Sequence, residues 1–232
     1  MIFEKTAVFN IEGALRGMRN PHESWEKSDS YYGNNEIGLE SYVIGENDLK
    51  LAQTLIKAGS EHRKFLRQIF VSVDITAPLY WWKEFDTYKV GTVANSTSTM
   101  HKLAETPITW DCFEMDDFKD VWWEDGSGHF SSRMVSVETV WASLINDLEK
   151  LRKKYFETKD KRYWKELIRL LPESWLQKRT VTMNYENLFS IVHQRRYHKL
   201  TEWTGAFMDW ARALPYAYEF IFTGMTKSSN DN

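Results

Sequence analysis

The stretch that decides the fold is residues 68–103, QIFVSVDITAPLYWWKEFDTYKVGTVANSTSTMHKL. Apolar residues occupy every second position at its start: Ile69, Val71, Val73 and Ile75. This alternation of β-branched residues predicts a half-buried strand over residues 68–76. Ala77 and Pro78 close that strand, and residues 79–85 are expected to begin a helix.

A run of small polar residues follows in the same stretch, beginning three residues after the cation Lys89. Its hydroxyl and amide side chains are Thr92, Asn95, Ser96, Thr97, Ser98 and Thr99. Segments of this composition bring backbone N–H groups close to a ligand, and their hydroxyls can contact phosphate oxygens. The run therefore indicates either a phosphate-binding segment, with Lys89 supplying charge, or an exposed polar loop.

The segments before this stretch contain one predicted helix. Its apolar spacing covers residues 47–58, with Asn47 or Asp48 as the N-cap and Gly59 at the end. The polar residues 20–35 that precede it are expected to form a long loop.

The C-terminal half is predicted to be mostly helical. Helical spacing of apolar residues occurs over 137–155, 164–171, 185–192 and 203–214. Pro172 ends the second of these helices, and Asn184 can cap the third after a short strand at 180–183. Residues 111–130 are acidic and aromatic and are expected to form an irregular insertion. These elements predict an α+β fold, a mixed sheet with flanking helices, as a single domain over residues 1–232.

Composition excludes several classes of protein. The formal net charge of −3 gives no basic surface for binding a nucleic acid polymer. The single cysteine, Cys112, cannot form a disulfide within the chain, and no Cys/His ligand spacing predicts a metal site. No apolar stretch reaches the roughly 18 residues of a membrane helix, and no signal-peptide pattern opens the chain. A cytoplasmic location without membrane attachment is therefore expected.

The segment after the strand resembles the signature of flavin-dependent thymidylate synthases, R-H-R-x-x-S-x-N-x-x-S-x-R, which also follows a strand ending in Ala-Pro. Counted without a gap from residues 77–78, the first three signature positions fall on Thr87, Tyr88 and Lys89. The first Ser of the signature falls on Thr92. With one inserted residue, its Asn falls on Asn95, its second Ser on Ser98 and its closing Arg on Met100, and the Gln ahead of the signature corresponds to Glu84.

A second stretch, VTMNYENLFSIVHQRRYHKLTEW at 181–203, supports the same resemblance. Family members carry Asn-x-Arg-x-Leu at the end of a strand, a helix closing on Leu-Arg, and then Gln-Trp-Glu-Ile-Arg. Asn184, Leu188, Arg195 and Trp203 match that pattern. Together the similarity covers roughly residues 45–105 and 175–222, with the order of elements preserved.

The resemblance implies an enzyme that transfers a one-carbon unit from methylenetetrahydrofolate to the uracil ring of dUMP, in dTMP biosynthesis or a related pyrimidine nucleotide modification. Reduced FAD would mediate the transfer, with NADPH as reductant. By position, the cofactor-binding residues implied are Tyr88, Lys89, Thr92, Asn184 and Arg195. The substrate-binding residues implied are Glu84, Asn95, Ser98 and Thr99. Catalytic residues are not assigned.

Several arginines of the family pattern are replaced in this chain. Thr87, Lys89 and Met100 stand in the signature, Glu186 stands in Asn-x-Arg, and Ala206 follows the tryptophan. In the family these arginines hold phosphates or polarise the pyrimidine, and lysine does not reproduce a bidentate arginine fork. The alternative is therefore a catalytically inactive nucleotide- or flavin-binding regulatory protein on the same fold.

The resemblance also implies a homotetramer, and the aromatic content suggests subunit contacts. The chain contains 11 Trp, more large rings than one core of this size is expected to need. The rings concerned are Trp81, Trp82, Trp141, Trp203 and Trp210. The alternative is that residues 110–123 cover these rings within one chain.

Overall fold

The computed structural model describes residues 1–34, 40–98, 102–115, 122–124 and 134–225. The strands are β1 (Ile2–Phe9), β2 (Tyr31–Asn34), β3 (Glu40–Val43), β4 (Phe70–Pro78), β5 (Val93–Ser96), β6 (Trp122–Glu124), β7 (Met134–Ser136) and β8 (Leu176–Asn184). The α-helices are α1 (Ile11–Arg19), α2 (Glu46–Lys57), α3 (Leu79–Phe85), α4 (Val137–Thr158), α5 (Lys161–Leu170), α6 (Tyr185–Arg195), α7 (Met208–Arg212) and α8 (Ala217–Phe220). Shorter turns of helix lie at Asn20–His22, Trp25–Lys27, Arg63–Gln68, Trp110–Cys112 and, as a π-helix, Trp203–Phe207. The predicted α+β class is confirmed.

The main sheet has four strands in the order β1-β4-β8-β5. In β4, Val71, Val73 and Ile75 are each at most 1 % exposed, as the alternation predicts. The strand begins two residues later than predicted and includes Pro78. Strand β8 is longer than the predicted 180–183, because its first residues pair in the sheet without an apolar alternation that would reveal them.

The N-terminal part contains several elements that the sequence did not predict: β1, α1, β2 and β3. Strand β1 takes an outer position in the main sheet. The expected long loop at 20–35 contains β2, which pairs antiparallel with β3 in the register Tyr31↔Val43. The loop prediction is therefore wrong over Tyr31–Asn34, because pairing with a second strand overrides a polar local sequence.

Helix α2 is confirmed, but its predicted cap is wrong. Neither Asn47 nor Asp48 caps it, because the carboxylate of Asp29 accepts hydrogen bonds from both of their backbone N–H groups, at 2.9 and 3.1 Å. Gly59 does follow the helix, in a left-handed conformation with φ of 111°. A cap from another segment satisfies the same free N–H groups that a local cap would satisfy.

The chain divides into two compact units. The first consists of Met1, Thr76–Phe85 and Ser96–Arg179, and the second of Ile2–Ile75, Asp86–Asn95 and Thr180–Asn232. The expectation of a single domain stays a prediction. Among the described residues, no helix combines the length and apolarity needed to cross a bilayer.

The first unit has its core between α4, α5 and the loop at 102–115. The buried side chains are Leu103, Ala104, Ile108, Phe113, Ile145, Leu148 and Leu167. Glu149 on α4 accepts hydrogen bonds from Arg152 and from the backbone N–H of Ile108, and these hold the pKa of Glu149 below its ordinary value. The predicted irregular insertion at 111–130 falls largely outside the described residues.

The second unit carries a buried ion pair between α1 and α2. Arg19 is 4 % exposed and donates through Nε to the carboxylate of Asp48, which is fully buried. Burial disfavours the charged form of Asp48, but hydrogen bonds from Ser30, Ser28 and Arg19 outweigh that effect and hold its pKa below the ordinary value. The pair therefore stays ionised and fixes the end of α1 against the start of α2.

Much of the aromatic surplus is absorbed within the chain. Trp81, Trp82 and Trp203 are fully buried, and the Nε1 of Trp82 donates to the backbone carbonyl of Gln177. Trp210 is half-buried and stacks on Phe3 at 4.8 Å between ring centroids. The inference that these rings exceed the needs of the core is therefore wrong for the three buried tryptophans.

Candidate functional site

Residues of the signature-like segment lie against helix α6 in the second unit. The hydroxyl of Tyr88 accepts a hydrogen bond from Arg195 Nε at 2.8 Å and donates one to Gln194 Oε1 at 3.2 Å. Tyr88 and Arg195 are 107 residues apart in the chain. The structure therefore brings together two residues that the resemblance assigns to one site.

Two aromatic rings fix the position of Arg195. Its guanidinium carbon lies 5.5 Å from the ring centroid of Tyr88 and 5.2 Å from that of Trp203. The two rings meet edge to face, with centroids 6.5 Å apart. Cation–π attraction of this kind strengthens when the groups are desolvated, and Trp203 is fully buried. The cation of Arg195 is thus held in one orientation at the end of α6.

The other end of α6 begins with the predicted N-cap. Asn184 Oδ1 accepts from the backbone N–H of Asn187 at 2.9 Å, and Asn187 Oδ1 accepts from the N–H of Asn184 at 3.2 Å. The next residue, Tyr185, is fully buried and donates to the carbonyl of Pro215 at 2.7 Å, and burial raises its pKa. This reciprocal cap confirms the prediction for Asn184 and gives its side chain a structural role.

The loop at 90–92 closes on that same helix start. Asn187 Nδ2 donates to the carbonyl of Val90 at 2.6 Å. Gly91 has φ of 78°, and a Cβ there would lie 2.9 Å from Asn184 Nδ2 and 3.0 Å from Asn187 Oδ1. Only glycine meets both the backbone conformation and this close approach without strain.

Thr92 carries an unsatisfied polar group at this position. Its hydroxyl is buried and makes no hydrogen bond with any residue in the described part of the chain. Buried polar atoms are normally satisfied, so one without a partner calls for a ligand or an ordered water. Lys89, three residues earlier, is exposed, and Asn95 is exposed on β5.

The other predicted substrate-binding residues belong to a different part of the chain. Glu84, on α3, and Ser98 are half-buried and belong to the first unit. The carbonyl of Ser98 accepts from the N–H of Lys102 at 3.0 Å. The neighbouring Lys83 donates to Glu173 at 2.6 Å. Thr99 lies outside the described residues.

The sequence did not predict a role for Arg63. Its Nε contacts both carboxylate oxygens of Glu186, at 3.0 and 2.9 Å, and its guanidinium carbon lies 4.2 Å from the centroid of the Phe189 ring. Glu186 was recognisable as a reversed charge, but its partner is 123 residues away. No local pattern identifies a pair at that separation.

A cavity of about 500 Å³ is lined in part by residues of the helical turn Arg63–Gln68. Its apolar wall is formed by Met18, Leu55 and Phe65. The polar residues at its edge are His22, Glu61, His62, Lys64 and Gln68. Concave sites of this size with a few polar groups are suited to small molecules.

Two solved structures share this arrangement of elements along almost the whole chain. Both are crystal structures of the flavin-dependent thymidylate synthase ThyX from Helicobacter pylori with FAD and dUMP. One has a TM-score of 0.64 at 19 % identity and the other 0.67 at 18 %, and each alignment covers 96 % of this chain and 98 % of that chain.

This chain has the fold of flavin-dependent thymidylate synthases. The fold expected from the resemblance is therefore confirmed. No protein-family model and no curated protein sequence matches the chain. At identities below 20 %, the structural likeness establishes the fold and leaves the site residues as predictions.

Proposed function

We propose that this protein is an enzyme acting on a pyrimidine nucleotide, in the manner of a flavin-dependent thymidylate synthase. The reaction proposed is one-carbon transfer from methylenetetrahydrofolate to the uracil ring of dUMP, or a related modification, with FAD as cofactor and NADPH as reductant. The observation that carries the proposal is the cluster of Tyr88, Arg195 and Trp203. It lies on a fold whose structurally similar solved proteins were crystallised with FAD and dUMP.

The local geometry fits a nucleotide beside α6. The buried hydroxyl of Thr92 has no hydrogen-bond partner among the described residues, and Gly91 lets its loop pack closely against Asn184 and Asn187 at the start of α6. Arg195 supplies a fixed cation, and Lys89 an exposed one. In this proposal Tyr88, Lys89, Thr92, Asn184 and Arg195 contact the flavin. The nucleotide substrate would contact Glu84, Asn95, Ser98 and Thr99.

A bound flavin would supply the reducing equivalents that turn a transferred one-carbon unit into a methyl group. The protein's own groups bind and orient. Arg195 would hold an anionic or carbonyl oxygen, because its guanidinium is fixed before any ligand binds. The hydroxyl of Tyr88 keeps Arg195 in that position.

The direct test is reconstitution of the purified protein. Titration with FAD, followed by flavin absorbance and fluorescence, measures cofactor binding, and calorimetry with dUMP measures substrate binding. Product analysis with methylenetetrahydrofolate and NADPH then measures formation of dTMP. Binding of both ligands with turnover supports the proposal, while a folded protein that binds neither FAD nor dUMP overturns it.

A second candidate is a regulatory protein that binds nucleotide or flavin without catalysis. The observation in its favour is Glu186, an acid in the first turn of α6 where the resemblance expects an arginine. Its carboxylate is taken up by Arg63 rather than by solvent. Binding of dUMP or FAD without turnover under all the conditions above would select this candidate.

The assembly and location belong to the same proposal. We propose a homotetramer, as the resemblance implies, in the cytoplasm, where the lone thiol of Cys112 stays reduced. Apolar side chains near the candidate site are available for subunit contacts: Val90 is 89 % exposed, Val93 69 % and Tyr197 84 %. These three replace the buried tryptophans as the reason to expect contacts between copies.

A further inference from the structure

Arg63 and Glu186 form a largely buried ion pair in the second unit. The side chains are 18 % and 14 % exposed. Arg63 donates through Nε to both carboxylate oxygens, so the Nε edge of the guanidinium is committed to Glu186. The carboxylate thereby sets the direction in which the rest of the guanidinium points.

The ring of Phe189 fixes the plane of the same guanidinium, at 4.2 Å from its carbon to the ring centroid. Glu186 and Phe189 are three residues apart on α6 and therefore lie on one helix face. Glu186 therefore holds one edge of the Arg63 guanidinium, and Phe189 covers one of its faces. Because the group is already restricted, binding a ligand would cost it little conformational entropy.

The pair with Glu186 uses Nε of Arg63 and does not use its two terminal nitrogens. Within the described part of the chain, neither Nη1 nor Nη2 donates a hydrogen bond. Neither atom is among the buried polar atoms that lack a partner, so both reach solvent, and their four N–H donors are open to a bound acceptor. The spacing of Nη1 and Nη2 matches two oxygens of one phosphate.

Charge in the surrounding segment favours an anion. The eight residues from Glu61 to Gln68 contain Arg63, Lys64 and Arg67 against one acid, Glu61. Glu186 neutralises Arg63 alone, so the segment keeps a positive balance. Charged groups within several ångströms of a ligand act strongly where water is partly excluded.

We propose that Arg63 is a phosphate-binding residue, which presents Nη1 and Nη2 to a phosphate group of a bound nucleotide and is positioned by Glu186 and Phe189. The identity of the nucleotide rests on the proposed function, with the monophosphate of dUMP and the pyrophosphate of FAD as its two sources. The acidic residue at Glu186 would then orient the guanidinium of Arg63, which comes from the helical turn Arg63–Gln68 rather than from α6.

The test compares ligands that differ only in phosphate. Affinities for dUMP and deoxyuridine, and for FAD and riboflavin, are measured in the wild type, Arg63→Gln and Arg63→Lys. Arg67→Gln is the matched control, because Arg67 is exposed on the same helical turn and donates one long hydrogen bond, at 3.4 Å, to the Ser60 carbonyl. Thermal unfolding of each variant reports whether the fold is kept.

We expect Arg63→Gln to weaken binding of dUMP or FAD by about 10- to 100-fold, with the phosphate-free partner changed by less than about twofold. Arg63→Lys should restore part of the loss, because it keeps the charge without the fork. The ligand whose phosphate preference disappears identifies the source. Equal losses for both members of each pair, or none in a folded variant, overturn the proposal.

Inorganic pyrophosphate separates this proposal from the proposed function. If the wild type binds neither dUMP nor FAD, the proposed function fails, and Arg63 is then judged by pyrophosphate alone. Pyrophosphate binding that is lost in Arg63→Gln and kept in Arg67→Gln supports the phosphate site. No binding of pyrophosphate by the wild type, or binding that both variants keep, rejects it.

Discussion

At the residue scale, the hydroxyl of Tyr88 joins the signature-like segment to the end of α6. Replacing it in Tyr88→Phe keeps the ring beside Arg195 but removes the acceptor for Arg195 Nε. We expect affinity for the bound nucleotide to fall about tenfold, because a hydrogen bond to a charged group is lost. Titration with FAD and dUMP measures the change. Tyr31→Phe, on an exposed tyrosine, is the control and should leave both affinities unchanged.

Gly91 is a second residue at which a single added atom, a Cβ, is expected to change the stability of the protein. In Gly91→Ala, the new Cβ meets Asn184 and Asn187 at 3.0 Å or less, in a backbone conformation that disfavours any side chain. We expect a loss of about 1–3 kcal/mol in the free energy of unfolding. Gly205→Ala is the control, since nothing lies within 4 Å of the added Cβ there. Equal denaturation midpoints for the two variants would contradict the role assigned to Gly91.

At the element scale, the ion pair of Arg19 with Asp48 joins α1 to α2 inside the second unit. Asp48→Asn leaves the buried guanidinium without its charge partner, and we expect a loss of about 3–5 kcal/mol. The exposed pair of Asp147 with Lys150 gives the control, and Asp147→Asn should cost less than about 1 kcal/mol. Chemical denaturation of the three proteins at neutral pH measures both effects.

The same pair makes stability depend on acidity. The folded-state pKa of Asp48 lies below the unfolded value of about 3.9, so its contribution is complete above that value and is lost as the pH falls through the folded pKa. The advantage of the wild type over Asp48→Asn should therefore shrink below about pH 4. A difference that stays constant between neutral pH and about pH 3 would show that Asp48 contributes through packing alone.

Local signals account for the elements that could be predicted from the sequence. The alternation in β4 and the cap of α6 at Asn184 each lie within a few residues of the structure they form. Strand β2 and the capping of α2 by Asp29 depend on partners elsewhere in the chain. Such pairings leave no periodicity for a reader of the sequence to find.

At the scale of the whole molecule, the fold was more predictable than the site. Tyr88 and Arg195 could be paired only through the resemblance, and the structure then brought them within 2.8 Å. The role of Arg63 could be recognised only in the structure, because the acidic residue at Glu186 does not indicate which basic residue pairs with it. Long-range ion pairs of this kind are set by tertiary packing, which no local pattern encodes.

The number of copies in the assembly can be measured directly from its mass. A chain of 27.5 kDa that forms a tetramer should give a light-scattering mass of about 110 kDa, four times that value, at micromolar concentration. Val90 and Val93 expose 89 % and 69 % of their surfaces, so charges placed there disturb no core. The double variant Val90→Asp, Val93→Asp should therefore remain folded and lower the mass, because apolar contact between copies would be lost. Val140→Asp, at a position 43 % exposed on α4, is the control and should keep the mass of the wild type. A wild-type mass near 27.5 kDa would reject the tetramer, while an unchanged mass in the double variant would move the subunit contact away from this segment.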